Sequence, residues 1–179
     1  MTRSTPAVAT SATPLRAIGS VTEAHYRRID LPLDRAVGRQ ELEERISTAT
    51  RTREIYAAKK FLAELDAGRS LPGSIPFPVQ TWSFGNDLAM VFLAGEVVSG
   101  YSLRLRRELD RERLWVNAYT NSVPAYIASA SMYPEGGYEV DGAMNYYGWP
   151  VRLARETEDL VIATVHALLP ATFDAERAP

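Results

Sequence analysis

The sequence predicts an α/β fold, a mixed sheet with packed helices, on three observations. A continuously apolar run at 88–93 is followed by a helix-period stretch and a β-rich run at 114–118, the strand, helix, strand order of a parallel crossover. Residues 34–68 space their apolar side chains at helical intervals among Arg, Lys and Glu. At 179 residues and 46% apolar composition, the chain suffices for one domain with a core and is short for two. The expected organisation is a disordered segment at 1–15, one folded unit at 16–170 and a polar tail at 171–179.

Residues 1–15 are rich in Thr, Ser, Ala and Pro, with too little large apolar surface to offset the entropy of ordering them. Within 15–33, Ile18, Val21, Tyr26, Ile29 and Leu31 partly alternate with polar residues, which predicts one or two short strands closed by Pro32. Helical structure follows, with Leu42, Ile46, Tyr56, Phe61 and Leu65 as apolar positions, charges on a solvated face and Gly68 as the stop. Glycine and three prolines at 69–78 predict a loop that delivers the chain into a strand at 79–84.

Gly85-Asn86-Asp87 reads as a hairpin turn. The run at 88–93 has the pattern of a strand buried on both faces, so that Glu96 emerges from it after Ala94-Gly95. A helix at 99–113, with Tyr101, Leu103, Leu105 and Leu109, returns the chain to the strand at 114–118. The crossover then brings Glu96 and the 121–126 loop to the same strand ends, where α/β sheets build sites. Pro150 near its first turn and Pro170 past its end frame a capping helix at 150–169.

Twenty basic against twenty-two acidic side chains leave a net charge of -2, which offers no electrostatic footprint for nucleic acid. The absence of cysteine excludes disulfides, thiolate metal sites and cysteine nucleophiles. No apolar run is long enough to span a bilayer, and no signal-peptide h-region is present, so the compartment is undetermined.

Six tyrosines fall within 119–148, interleaved with Asn, Pro and Gly. A buried tyrosine hydroxyl needs a partner, so this density reads as one wall of a site. Taken alone, Glu96 fits a metal ligand, a general base or a salt-bridge partner of a nearby arginine. His166 reads as a packing residue of the last helix, and His25 has no neighbours that would make it a ligand.

Gln80-Thr81-Trp82, Gly85, the apolar strand, Gly95-Glu96 and the Leu-Arg-Arg near 105 resemble the neutral ceramidase family. Asn121-Ser-Val-Pro-Ala-Tyr126-Ile, Glu135 with Tyr138-Glu139, and Tyr147-Gly148 resemble that family's second block over about 90 residues in total. The resemblance implies the C-terminal part of a zinc amidohydrolase catalytic domain, with a shorter connection before Leu114. It further implies Glu96 and Tyr126 as the carboxylate and tyrosine zinc ligands, with Tyr138 as a catalytic donor to the developing amide oxyanion. The implied substrate is a lipid amide such as ceramide, and members of the family are often exported.

The same family takes two further zinc ligands from a histidine-rich N-terminal half that has no counterpart here. Only His25 and His166 are present. Two oxygen ligands fall short of the three a catalytic zinc normally takes. The expectations are therefore threefold: part of a ceramidase-like amide hydrolase that is inactive alone, a noncatalytic binding or scaffold protein on the same fold, or one half of a two-chain enzyme whose partner supplies the missing half.

Overall fold

β1 (Glu23–Pro32) pairs antiparallel with β2 (Ser74–Phe84), in a register that runs from Glu23 opposite Ser83 to Pro32 opposite Ser74. The computed structural model describes residues 17–21 and 23–175, so the segment expected to be disordered at 1–15 lies outside the described residues. Between the two strands stand α1 (Arg39–Thr48) and α2 (Thr52–Asp66). Leu42 and Phe61, from one helix each, join Val37, Ala57 and Ala58 in a small core of their own. Gly68 takes φ 72° beyond the end of α2, the left-handed conformation expected of its stop.

β2 turns through Gly85, at φ 55°, into β3 (Leu88–Leu93), and the crossover helix α3 (Ser99–Glu108) returns the chain to β5 (Leu114–Asn117), parallel to β3. The sheet order is β1-β2-β3-β5. A second, two-stranded parallel sheet joins β4 (Glu96–Val97) to β6 (Tyr126–Ile127). The described residues thus form a mixed α/β fold completed by α4 (Ala143–Tyr147) and α5 (Thr157–Leu168).

One sheet face holds the main core, where Val79, Val91 and Leu93 meet Tyr101 and Leu105 of α3 and Val161 and Val165 of α5. Thr81, buried on that face, donates its hydroxyl proton to the Leu168 carbonyl at 3.0 Å. Burial of such aliphatic and aromatic side chains, at about 1.5–3 kcal/mol each, is the main force holding helices to sheet.

Four expectations are corrected. β2 begins at Ser74 and includes Pro76 and Pro78, where the sequence predicts a loop. β3 reaches only as far as Val79, so that before it β2 has a neighbour on one side only and an imide nitrogen costs no ladder bond. β3 is not buried on both faces: Ala89, Val91 and Leu93 are buried, whereas Leu88, Met90 and Phe92 are half exposed. The final helix starts at Thr157, because the preceding backbone is held by β1: Leu153 bridges Leu33, and the Ala154 N–H donates to the Pro32 carbonyl at 2.9 Å. At the expected polar tail, Ala171–Phe173 forms a 3-10 turn whose Phe173 is buried, and Asp174 bridges Leu109.

Candidate functional site

The site begins where β3 ends. Gly95, at φ 76°, is the one residue type that fits: a Cβ there would lie 2.8 Å from the Ala125 carbonyl oxygen and 2.9 Å from Cγ1 of Ile127. This close approach lets the Glu96 N–H donate to Ala125 at 2.9 Å and sets Glu96 directly opposite Tyr126 in the small parallel sheet. The crossover thus brings together the two residues expected as ligands.

The loop between β5 and β6 carries two non-glycine residues at positive φ, Tyr119 at 57° and Asn121 at 67°. Both lie in a sparsely populated region, held there by surrounding bonds. The Tyr119 N–H donates to Gly95 at 3.1 Å, and the Asn121 side-chain amide donates to Gln80 Oε1 at 3.3 Å. From the far side, α4 ends in Tyr147 and is closed by Gly148 in the left-handed conformation at φ 81°.

The Glu96 carboxylate is therefore ringed by phenols. Tyr147 donates to Oε1 and Tyr119 donates to Oε2 at 3.0 Å, with Tyr126 directly opposite in the small ladder. Hydrogen bonds from Tyr147, Tyr126 and Tyr119 outweigh partial burial and hold the Glu96 carboxyl below its usual range. The reciprocal effect pushes Tyr126 up to about 12, chiefly through its bond to Glu96. Tyr147 rises too, through burial first and Glu96 second, and Tyr119 through its hydrogen bond to Glu96. The resting arrangement is an ionised carboxylate among neutral phenols.

Tyr138 opens a π-helical turn, Tyr138–Gly142, entered through Gly136 and Gly137 at φ 65° and 103°. Such turns recur at functional sites because they re-aim a side chain without ending the helix. Its ring packs edge-on against Tyr126, centroids 5.8 Å apart, while Tyr126 meets Tyr147 edge-on at 6.5 Å. Tyr138 is 48% exposed, so the expected catalytic tyrosine stands beside the expected ligand pair at the open side of the cluster.

Buried polar contacts secure the walls. Glu158 accepts from the Ala130 N–H at 2.6 Å and pairs with Arg104 at 3.2 Å, which ties the segment after β6 to α3 and α5. The Trp149 indole donates to the Pro124 carbonyl at 2.7 Å. The sequence puts Tyr119 and Tyr147 in the tyrosine wall but does not direct them to Glu96. Only the positive-φ turn and the α4 cap direct them there.

Glu96 and Tyr126 present two adjacent oxygen donors, and among the described residues no group of three or more His, Cys, Asp or Glu side chains could hold a metal ion. His25 pairs with Glu23 at 3.2 Å on β1, and His166 pairs with Glu108 at 2.9 Å on α5. His166, expected as a satisfied packing residue, is half-buried on α5 with Glu108 as its partner. Two oxygen donors fall short of the three protein ligands that a catalytic zinc takes. No family model, curated protein or solved structure matches this chain.

Proposed function

We propose that the chain contributes one wall of a ceramidase-like zinc amidohydrolase site, with Glu96 and Tyr126 as metal ligands and Tyr138 as the donor to the amide oxygen. The supporting observation is the opposition of Glu96 and Tyr126 across a two-residue parallel ladder, with the Tyr138 ring against Tyr126. Zinc in such a centre supplies activated water for attack on an amide carbonyl. The ligands still required are imidazoles from residues outside these 179, on the same polypeptide or on a second one.

This chain's own residues would act as follows. Glu96, ionised at neutral pH, provides the negative charge that binds the cation. Tyr126 gives up its proton on coordination, since a metal favours the phenolate. The Tyr138 hydroxyl donates to the carbonyl oxygen as charge develops, a contribution of about a hundredfold or more in rate for a well-placed donor.

The test combines the chain, zinc and a separately expressed histidine-bearing N-terminal half of a neutral ceramidase catalytic domain, with a fluorogenic N-acyl sphingosine as substrate. Hydrolysis that requires all components, is abolished by Glu96→Gln and falls about a hundredfold in Tyr138→Phe is the expected result. Hydrolysis indifferent to Glu96→Gln would overturn the assignment. A noncatalytic binding role is the second reading, favoured by the exposure of Tyr119 and Tyr146, which offer phenol faces for stacking.

A further inference from the structure

We infer that the cleft between α2 and α4 is a binding site for a small aromatic dianion, a phosphate monoester carried on an aromatic ring being the chemistry it fits. The site adjoins the Glu96 cluster through Tyr147 and depends on no metal there.

Helical spacing builds one wall. Arg53, Tyr56, Ala57, Lys60 and Phe61 recur at intervals of three and four residues, which puts them on one face of α2, and that helix meets α4. Ala57 and Phe61 are buried, whereas Tyr56 on the same face is 72% exposed. The sequence reads Tyr56 as an apolar position and the charges of this stretch as a solvated face. The structure instead turns Tyr56, Arg53 and Lys60 into the lining of a cleft of about 340 Å³. Small-molecule sites begin at about this size.

The opposite wall is the end of α4, with Tyr146, Tyr147 and Gly148. Tyr146 is 65% exposed and meets Tyr147 edge-on, with centroids 5.4 Å apart and planes at 88°. Two perpendicular rings make a corner, into which a flat apolar body fits against one face and one edge. Tyr147 offers only its ring, because its hydroxyl already donates to Glu96. The Tyr56 and Tyr146 hydroxyls stand on exposed side chains and are left to donate to an acceptor in the cleft.

Charge selects the occupant. The lining holds two cations and no carboxylate, in a chain of net charge -2. Both cations reach the end of α4: the Arg53 guanidinium lies over the Tyr146 ring, 5.9 Å from its centroid, and a Cβ at Gly148 would lie 3.9 Å from Lys60 Nζ. The nearby carboxylates are taken by other arginines, Glu54 by Arg51 at 3.7 Å and Glu64 by Arg69. Lys60 acts on Glu64 only through its field. Neither Arg53 nor Lys60 therefore makes an ion pair among the described residues. A phosphate monoester carries close to two negative charges at neutral pH and three acceptor oxygens, which suits an arginine fork, an ammonium and two phenol donors.

The experiment titrates the full isotope-labelled chain with phenyl phosphate and follows backbone amide shifts by nuclear magnetic resonance, with inorganic phosphate, phenol and benzoate as comparison probes. One-site saturation with a dissociation constant on the order of 0.1 mM is expected, with shifts centred on Lys60 and residues 145–148. Each comparison probe should bind at least about tenfold more weakly, since it lacks the ring, the anion or the second charge. Arg53→Gln, Lys60→Gln and Tyr146→Ala should each weaken phenyl phosphate at least about fivefold. Lys59→Gln removes the same charge from an exposed neighbour outside the cleft and should leave binding unchanged. All four substitutions fall on exposed side chains, and unchanged thermal melts show that the variants fold. The absence of saturable binding at millimolar concentration would overturn the inference. So would inorganic phosphate or benzoate binding as tightly as phenyl phosphate, or Lys59→Gln weakening it as much as Lys60→Gln.

Discussion

Three phenols on one carboxylate make Glu96 the most electrostatically committed residue of the site, and two expected outcomes follow. Its folded-state value is lowered by their hydrogen bonds, so its stabilising contribution is present above the unfolded carboxylate range of about 4.3 and is lost as pH falls through the lower folded value. Urea midpoints of the native chain and Glu96→Gln should differ at neutral pH and converge in acid; a constant difference would show that packing, not charge, is at work. Tyr126, raised to about 12, has the opposite sign: its contribution is full below the unfolded phenol value of about 10 and disappears as pH rises through about 12. Spectrophotometric titration of Tyr126→Phe should accordingly lose a late tyrosine transition.

At the scale of elements, the site depends on how closely β4 lies against β6. Gly95→Ala combines a left-handed φ with a Cβ contact of 2.8 Å to backbone, which something must relieve. A loss of about 1–3 kcal/mol in denaturant unfolding is expected, because the strain falls on the ladder that opposes Glu96 to Tyr126. Glu158 holds the segment after β6 from the other direction. Glu158→Gln weakens a charge-assisted bond to the Ala130 N–H and a half-buried pair with Arg104, and about 1–3 kcal/mol is again expected, measured by the same unfolding experiment. Gly68→Ala, in open space though also left-handed, should cost less than Gly95→Ala, which separates strain from steric conflict.

For the whole molecule, the decisive asymmetry is between the sheet's two faces. The covered face is closed at its far end by Phe173, buried and stacked under the Arg113 guanidinium at 5.1 Å, while Arg113 also donates to the Asn86 and Thr172 carbonyls. Phe173→Ala should therefore destabilise by about 3–5 kcal/mol, seen as a lower midpoint in thermal unfolding, although it lies near the end of the described chain. Trp115→Glu on the open face should change unfolding by no more than about 0.5 kcal/mol in the isolated chain. The contrast measures how unequally the two faces contribute to this fold.

By itself, the sequence determined the main strands and helices, the 34–68 helical stretch, β2, β3, α3, β5 and α5 among them, and the parallel crossover that joins β3 to β5, while Tyr126 and Tyr138 became site candidates only through a family resemblance. The elements are properties of spacing: periods of two and 3.6 residues, with glycine and proline at turns. Tertiary structure alone decided that Tyr147, 51 residues away, and Tyr119 turn their hydroxyls onto Glu96, and that the backbone before α5 is claimed by the end of β1. It also decided that Phe173 is core and that one face of β3 stands open. The reason is physical: local spacing specifies which side of an element is apolar, whereas the partner that satisfies a hydroxyl or covers a face is fixed by contacts between segments far apart in the chain.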